Sequence, residues 1–461
     1  MRRVFSAAAL IIVSTSTAFA QTPTTTCDRA GIGSIALTAD GPTPTILDVS
    51  SAIARTDAVA VPYCLVKVIV PQAVNIWVGL PMNGAWNGRL QSIGGGGYAG
   101  NVVVPTAAIL GGFVGVSTDT GHSSAAGGSF GMLSPGQPNT QLQIDFAHRS
   151  EHLMSVIGRQ LTQAFYGKPP SYAYWNGCST GGRQGLMMAQ RYPDDYNGIV
   201  AGAPAIHWDR FQAAQLWPQM VMLGENGGPI SPAKLTMATA AAVAACDGSD
   251  GVIDKVIDDP RTCRFDARTL VCSPSSPGAE TCLTEPEANA INKIWEGPVV
   301  EGKRLWWGPR PGAALGGLAG PEPFRIAVDQ PKYWVYYDPA WDWRTLDYSN
   351  YEEFFDLTVK RVGPVMATDD PDLSRFRDRG SKLIVWHGWT DHLIMPDGTV
   401  EYYDAVTRRL GGGYEQTRRF ARLFMAPGVA HCSGGEGPQP QGLLEAVMNW
   451  VERGQPPSAL T

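Results

Sequence analysis

The sequence predicts a doubly wound, mostly parallel α/β sheet interrupted by one large inserted domain. Three observations carry that expectation. Short β-branched runs bounded by prolines and glycines alternate with segments of helical period between Tyr63 and Ala203, and the same alternation resumes at Lys382 after a stretch of different character. The third is Gly177-Cys178-Ser179-Thr180-Gly181-Gly182, which sits between strand-like Ser171 to Trp175 and the helix-forming run Arg183 to Arg191. This is the G-x-S-x-G spacing in its strand, turn and helix context, where small residues let strand and helix pass closely and leave the serine hydroxyl exposed. A glycine-rich turn with an incidental serine has the same letters, so Ser179 gains weight only from partners elsewhere.

In chain order, Met1-Arg2-Arg3, an apolar run from Ala7 to Val13 and Ala18-Phe19-Ala20 have the form of a secretory signal peptide over residues 1–20, cleaved after Ala20. The protein is therefore expected to be exported, to the periplasm or the medium. No later run is long and apolar enough to suggest a membrane span. A net charge of −6 and the lack of any Lys/Arg cluster after Arg3 argue against nucleic acid, an anionic membrane or an acidic polymer as partner. A small molecule is the expected ligand, and fourteen Trp and fifteen Tyr leave aromatic side chains to spare for a pocket.

Residues 21 to 62, rich in Thr, Ala and Pro, read as an irregular arm. Strands are expected at Val66 to Val70, Asn75 to Leu80, Arg89 to Ile93 and Gly112 to Ser117. Between the last two, Gly95 to Gly100 formally matches G-x-G-x-x-G, but Asn101-Val102-Val103-Val104-Pro105 cannot open the helix that a dinucleotide site needs. Exposed backbone N–H groups able to meet an oxyanion are the better reading of Gly94 to Gly97. A helix is expected over Asp145 to Tyr166. It carries His148-Arg149-Ser150-Glu151-His152, formally the H-x-x-E-H pattern of inverted zinc peptidases, although no third ligand of suitable spacing follows. After the strand Gly198 to Ala203 the short strands give way to an alanine-rich helix (Ser231 to Ala245), cysteines and aromatic clusters. The expected organisation is thus a catalytic domain in two parts, 21–205 and 370–461, around a lid domain, 206–369. The second part supplies strands at Lys382 to Trp386 and Ala421 to Met425 and a C-terminal helix from Gly442 to Val451.

A serine nucleophile needs a base, and the base a carboxylate, in the order Ser, Asp, His for a hydrolase built on such a sheet. Asp391 lies in the loop after the strand Lys382 to Trp386, and His431 in the loop after Ala421 to Met425. Both stand where a parallel sheet presents its active site. In this reading Ser179 attacks, His431 moves the proton and Asp391 orients the imidazole, while the N–H groups of Thr180 and Gly96 hold the oxyanion. Eight cysteines in an exported chain imply disulfides. Proximity in sequence pairs Cys27 with Cys64, Cys246 with Cys263 and Cys272 with Cys282. Cys178 and Cys432 are then left over, either bridged, since each adjoins a triad residue, or two buried thiols.

Gly177 to Gln184, Trp386-His387-Gly388-Trp389-Thr390-Asp391 and Pro427-Gly428-Val429-Ala430-His431-Cys432 together resemble the tannase and feruloyl esterase family, from about Cys64 to the C-terminus. The resemblance implies the α/β-hydrolase fold, carboxylic ester hydrolysis, and a disulfide joining the residues that flank Ser179 and His431. It implies as substrates esters of aromatic acids: feruloyl or other hydroxycinnamoyl, galloyl, or mono-esters of terephthalate. It also implies a structural Ca²⁺ in the lid on Asp247, Asp250 and Asp254 with the carbonyls of Val252 and Val256. Hard oxygen donors in one turn suit that ion, although the spacing is not that of an EF-hand and Lys255 stands where a glycine is usual. Candidate pocket walls are His387, Trp389 and Ile394 beside Asp391, and Trp341 and Trp343 from the lid. Arg344 could meet a substrate carboxylate or form a salt bridge within the lid. The rival functions are a binding protein on a degenerate hydrolase fold and a zinc peptidase using His148 and His152.

Overall fold

The computed structural model of the protein describes residues 23–273 and 280–460; the signal segment expected at 1–20 lies outside them. Nine strands form the main sheet: β1 (Thr45–Arg55), β2 (Ala60–Val70), β3 (Val74–Pro81), β4 (Arg89–Ile93), β5 (Val114–Thr118), β6 (Tyr172–Cys178), β7 (Gly198–Gly202), β8 (Lys382–Gly388) and β9 (Ala421–Ala426), in the spatial order β1-β2-β3-β5-β4-β6-β7-β8-β9. The strands β1, β2, β3 and β5 pair antiparallel in sequence across the sheet, and from β5 to β9 every pairing is parallel. The helices that matter for the site are α1 (Ser150–Tyr166), α2 (Thr180–Arg191), α3 (Trp208–Ala214), α4 (Pro232–Cys246), α5 (Pro396–Leu410) and α6 (Leu443–Arg453).

The parallel strands are apolar on both faces because helices cover both. Ala173 and Trp175 of β6, Ile199 and Ala201 of β7, and Leu383 and Val385 of β8 pack with Leu153, Ile157 and Leu161 of α1, Leu186 and Met188 of α2 and Tyr402 and Val406 of α5. The intervening Tyr174, Val200, Ile384 and Trp386 pack with Val447 and Trp450 of α6. Period-two side chains thus divide between two buried layers. This is the α/β-hydrolase arrangement, a mostly parallel sheet between helical layers.

One region departs from expectation. Part of the supposed irregular arm, residues 45–62, is strand: β1 and the start of β2 form an antiparallel hairpin at the sheet's edge. Only Ile46 and Ala54 of β1 are buried, so an edge strand with few inward residues leaves no strong alternation in the sequence. The glycine run after β4 continues as a loop with a turn at Gly97-Tyr98, with no helix before Thr106, and does not open a dinucleotide-binding helix.

Between β7 and β8, which are direct neighbours in the sheet, the chain makes a long helical excursion. Its apolar cluster includes Trp208, Phe211, Trp217, Leu235, Trp334 and Phe354, and it is continuous with Tyr98, Phe130 and Phe146 of the preceding part and with Ile394 after β8. Four disulfides, Cys27–Cys64, Cys178–Cys432, Cys246–Cys263 and Cys272–Cys282, have the pairing expected from the sequence. Among the described residues no helix is long and apolar enough to cross a membrane.

Candidate active site

Ser179 occupies the turn from β6 into α2 with φ 63° and ψ −123°, a left-handed conformation that costs a non-glycine residue free energy. Neighbouring backbone holds it there. Its N–H donates to Gly202 O (2.9 Å) at the end of β7, and its carbonyl accepts from Arg183 N (3.0 Å) and Ala205 N (3.1 Å). A Cβ on Gly181 would stand 2.9 Å from Gly95 O, and one on Gly177 would stand 2.6 Å from Gly181 C and O. The turn therefore needs glycine at both places, because the loop after β4, the end of β6 and the first turn of α2 are in backbone contact.

The loops after β8 and β9 bring up the other two groups. His431 Nε2 lies 2.9 Å from Ser179 Oγ, and His431 Nδ1 lies 2.7 Å from Asp391 Oδ2. This is the geometry in which the imidazole can take the hydroxyl proton while its other N–H is held by a carboxylate. Asp391 is buried, and burial alone would favour its neutral form. The hydrogen bonds from His387 and His431 more than reverse that and hold the carboxyl well below the usual range, so it stays ionised. Its other oxygen accepts from the N–H groups of Leu393 (2.8 Å) and Ile394 (2.9 Å). The Cys178–Cys432 bridge, with Cα atoms 6.0 Å apart, ties the turn bearing Ser179 to the loop bearing His431.

Above Ser179 lies a cavity of about 360 Å³. Gly96, Gly97, Thr180, Cys178 and Cys432 line its sheet side together with Leu393 and Ile394; Ala205, Phe211, Gln212, Gln215, Phe324 and Ile326 line the other. The N–H of Gly94 is taken by Asn176 O (3.1 Å) and that of Gly95 by Gln184 Oε1 (2.9 Å). The N–H groups of Gly96 and Gly97 have no acceptor among the described residues and border the cavity beside Thr180. The Thr180 hydroxyl donates to Gly97 O (2.6 Å), and Gln184 in turn donates to Glu151, so the glycine loop is held from α2 at two points. Burial pushes Glu151 up to about 7.

Of the expected pocket residues, Ile394 alone lines this cavity. His387 is fully buried beneath Asp391, since it sits on β8 with its side chain turned into the fold. Trp389 is also buried, and its ring carries the Arg261 guanidinium at 4.8 Å. Trp341, Trp343 and Arg344 border a different depression, with Pro323 and Lys332. Trp341 is held there by stacking on Tyr336 and Phe354, and Arg344 pairs with Asp342 at 3.3 Å and lies over Trp343. Phe211, Gln212, Gln215, Phe324 and Ile326 were not singled out from the sequence. They belong to helices and turns of the excursion whose orientation no local pattern fixes; two glutamines among the aromatic and alanine residues of 208–217 are the one irregularity that could have marked them.

His148 Nδ1 is 2.9 Å from Tyr192 Oη, His152 Nδ1 is 2.8 Å from Asp195 Oδ2, and Glu151 is engaged with Gln184, so this trio is spent on structural partners. In the acidic loop, Asp247 accepts from the N–H groups of Asp254 (3.1 Å) and Lys255 (3.0 Å), Asp250 from Val252 N (2.8 Å) and Asp254 from Val256 N (3.0 Å). Val252 is exposed and Val256 buried. The donors are hard oxygens, but among the described residues no three His, Cys, Asp or Glu converge as a metal group.

Comparison with known proteins gives a consistent picture. The sequence model of a family described as "Tannase and feruloyl esterase" matches residues 60–328 and 327–461. A probable feruloyl esterase of Arthroderma benhamiae is 37% identical over 404 residues, covering 84% of this chain and 74% of that protein. Among solved structures, feruloyl esterase B from Aspergillus oryzae superposes with a TM-score of 0.81 at 27% identity, covering 92% of this chain and 90% of that one. A tannin acyl hydrolase from Aspergillus niger shares the fold, with a TM-score of 0.82 at 24% identity over 93% and 89% of the two chains.

Proposed function

The chain belongs to the tannase and feruloyl esterase family and is a carboxylic ester hydrolase of that type; from this premise we propose that Ser179, His431 and Asp391 are its catalytic triad and that its substrates are esters of neutral, phenolic aromatic acids. One observation carries the first part, the continuous contact from Ser179 Oγ through His431 to Asp391 at 2.9 and 2.7 Å. Ser179 Oγ attacks the ester carbonyl as His431 Nε2 takes its proton, and Asp391 stabilises the imidazolium. The developing oxyanion is met by the N–H of Thr180 and of Gly96, with the Gly96 N–H bordering the cavity and free of other acceptors among the described residues. His431 then protonates the leaving alcohol, and water, deprotonated by the same ring, releases the acid.

The acyl preference follows from the cavity wall. Phe211, Phe324 and Ile326 offer flat apolar contact, and the carbonyl oxygens of Gln212 and Gln215 are buried without a partner among the described residues, so they can accept from phenolic hydroxyls. No Lys or Arg stands among the described residues of that wall, and a carboxylate-bearing acyl group such as a terephthalate mono-ester would enter it uncompensated. The test is hydrolysis of methyl ferulate, methyl gallate and mono(hydroxyethyl) terephthalate by wild type and Ser179→Ala. The expected order has the first two well ahead of the third, with the variant inactive on all; an active Ser179→Ala protein would remove the mechanism.

Two further properties are proposed on the sequence. Export with cleavage after Ala20 predicts a mature N-terminus at Gln21, which N-terminal sequencing of the secreted protein decides. Structural Ca²⁺ at the disulfide-closed loop 247–256 rests on its oxygen donors, Asp247, Asp250 and Asp254 with the Val252 and Val256 carbonyls. A chelator should then lower Tm, calcium should restore it, and an unchanged Tm would exclude it.

A further inference from the structure

His387 is the one wholly buried histidine of the chain among the described residues, and it touches the site from below. Its Nε2 lies 3.0 Å from Asp391 Oδ2, the same oxygen that holds His431 Nδ1 at 2.7 Å. On its other side, Nδ1 lies 2.8 Å from Thr399 Oγ1 at the start of α5. The ionised Asp391 carboxylate can only accept, so Nε2 faces it as the donor, and in the tautomer with that one ring proton the Thr399 hydroxyl donates to Nδ1. The ring nitrogen there accepts, and Nε2 carries the proton that goes to Asp391.

We propose that His387 is a second imidazole on the triad aspartate, a positioning residue that fixes the carboxylate for His431 without meeting substrate. The proposal rests on the Ser179, His431 and Asp391 reading. A buried carboxylate with only its two backbone donors, Leu393 and Ile394, would have one oxygen defined and the other free to move with His431. The His387 N–H supplies the fourth donor and gives Oδ2 a second partner besides His431. Turning the carboxylate would break two bonds at that oxygen instead of one, and neither could be replaced by water in so closed a place. The local sequence provides the geometry. β8 carries His387 to the end of the sheet in register with Met425, and the turn Gly388 to Thr390 folds Asp391 back over its ring. A Cβ on Gly388 would lie 2.1 Å from Val429 O, so the reversal also abuts the loop that carries His431. Pair spacing i, i+4 here comes from a turn, not from a helix.

The experiment compares His387→Leu, His387→Gln and Thr399→Val on one neutral aryl ester, beside Ser179→Ala. His387→Leu removes the donor at similar size; the Gln amide can return an N–H near the place of Nε2. We expect kcat for His387→Leu to fall about ten- to a hundred-fold with KM within about twofold, because only the reacting geometry is disturbed. His387→Gln recovers most of that loss, and Thr399→Val, which leaves the ring but frees its Nδ1, loses a smaller part. Proton NMR of the wild type should show two slowly exchanging downfield imidazole N–H signals, one of which disappears in His387→Leu. If His387→Leu keeps the wild-type kcat, or raises KM at constant kcat, the positioning role is overturned. Should the Leu variant not fold, an unchanged kcat in Thr399→Val together with a single downfield signal in the wild type overturns it equally. A dead Ser179→Ala protein with these outcomes removes only the role of His387; an active one removes the triad and this role together.

Discussion

The two walls of the cavity over Ser179 are built differently. The sheet-side wall is built on strand ends: Cys178 and Ser179 at the end of β6 and His431 after β9, with Asp391 after β8 buried behind His431, each placed by parallel register and joined by a disulfide and by hydrogen bonds across the loops. The opposite wall, Ala205 to Gln215 with Phe324 and Ile326, comes from the helical excursion. It offers mainly apolar surface, and two glutamine carbonyl oxygens there have no partner among the described residues. The first wall is over-determined and the second is not. In the proposed mechanism the polar groups that act in the transition state are held by several partners at once, while the apolar surface offered to an acyl ring is held by non-directional packing. On that proposal chemistry and recognition fall to different parts of the chain.

The largest expected effect tests the sheet-side wall. Asp391→Asn should lower kcat by about 10⁴-fold with little change in KM, since a neutral amide neither fixes the His431 tautomer nor supports its imidazolium. A loss confined to KM would mean that this wall binds substrate. The next tests the helical wall. Phe211→Ala should raise KM for methyl ferulate about tenfold and leave kcat nearly intact. Gln212→Leu should lower the preference for phenolic over unsubstituted acyl groups by about three- to tenfold, read from kcat/KM ratios. Equal preference in wild type and Gln212→Leu would show that the unpaired carbonyl is not used. Trp341→Ala and Arg344→Ala, which border another depression, should leave both constants unchanged.

A smaller effect concerns the support of the glycine loop. Glu151 is buried and raised to about 7, so between its ordinary carboxyl range and pH 7 the folded protein binds a proton that the unfolded chain has released. Stability contributed by this group is present at low pH and declines as pH rises through that window, by on the order of 2–3 kcal/mol. Glu151→Gln keeps a side-chain amide facing Gln184 and should flatten that decline in urea titrations between pH 5 and 8; an unaltered slope would assign the pH dependence to other groups. Turnover should change less than with any variant above, because Glu151 reaches Gly95 only through Gln184.

Much of the sheet-side wall is legible in the sequence. Ser179, Asp391 and His431 stand in order, each directly after a run of β-branched and apolar residues, and Cys178 and Cys432 adjoin two of them. Strand ends are readable because period-two burial and flanking glycines are local properties of the chain. The edge strand β1 escaped notice for the converse reason: with only Ile46 and Ala54 buried, it carries no pattern to read. His387 was expected against substrate and is instead beneath Asp391, and Trp341, Trp343 and Arg344 lie away from Ser179. Aromatic content showed that pockets could be lined, but not which of them.

By itself, then, the sequence determined the alternating sheet, the chain positions where Ser179, Asp391 and His431 fall, and the three cysteine pairs formed by neighbours in the sequence. All of these follow from short-range periodicity, from turn chemistry or from counting. The tertiary structure alone decided which side chains line the cavity over Ser179, that among the described residues Gly96 and Gly97 keep free N–H groups while Gly94 and Gly95 do not, and that His387 and His431 share one carboxylate oxygen. Those facts depend on the packing of segments far apart in the chain, and a hydrogen bond's partner or a helix's buried face is set by what the rest of the fold brings against it.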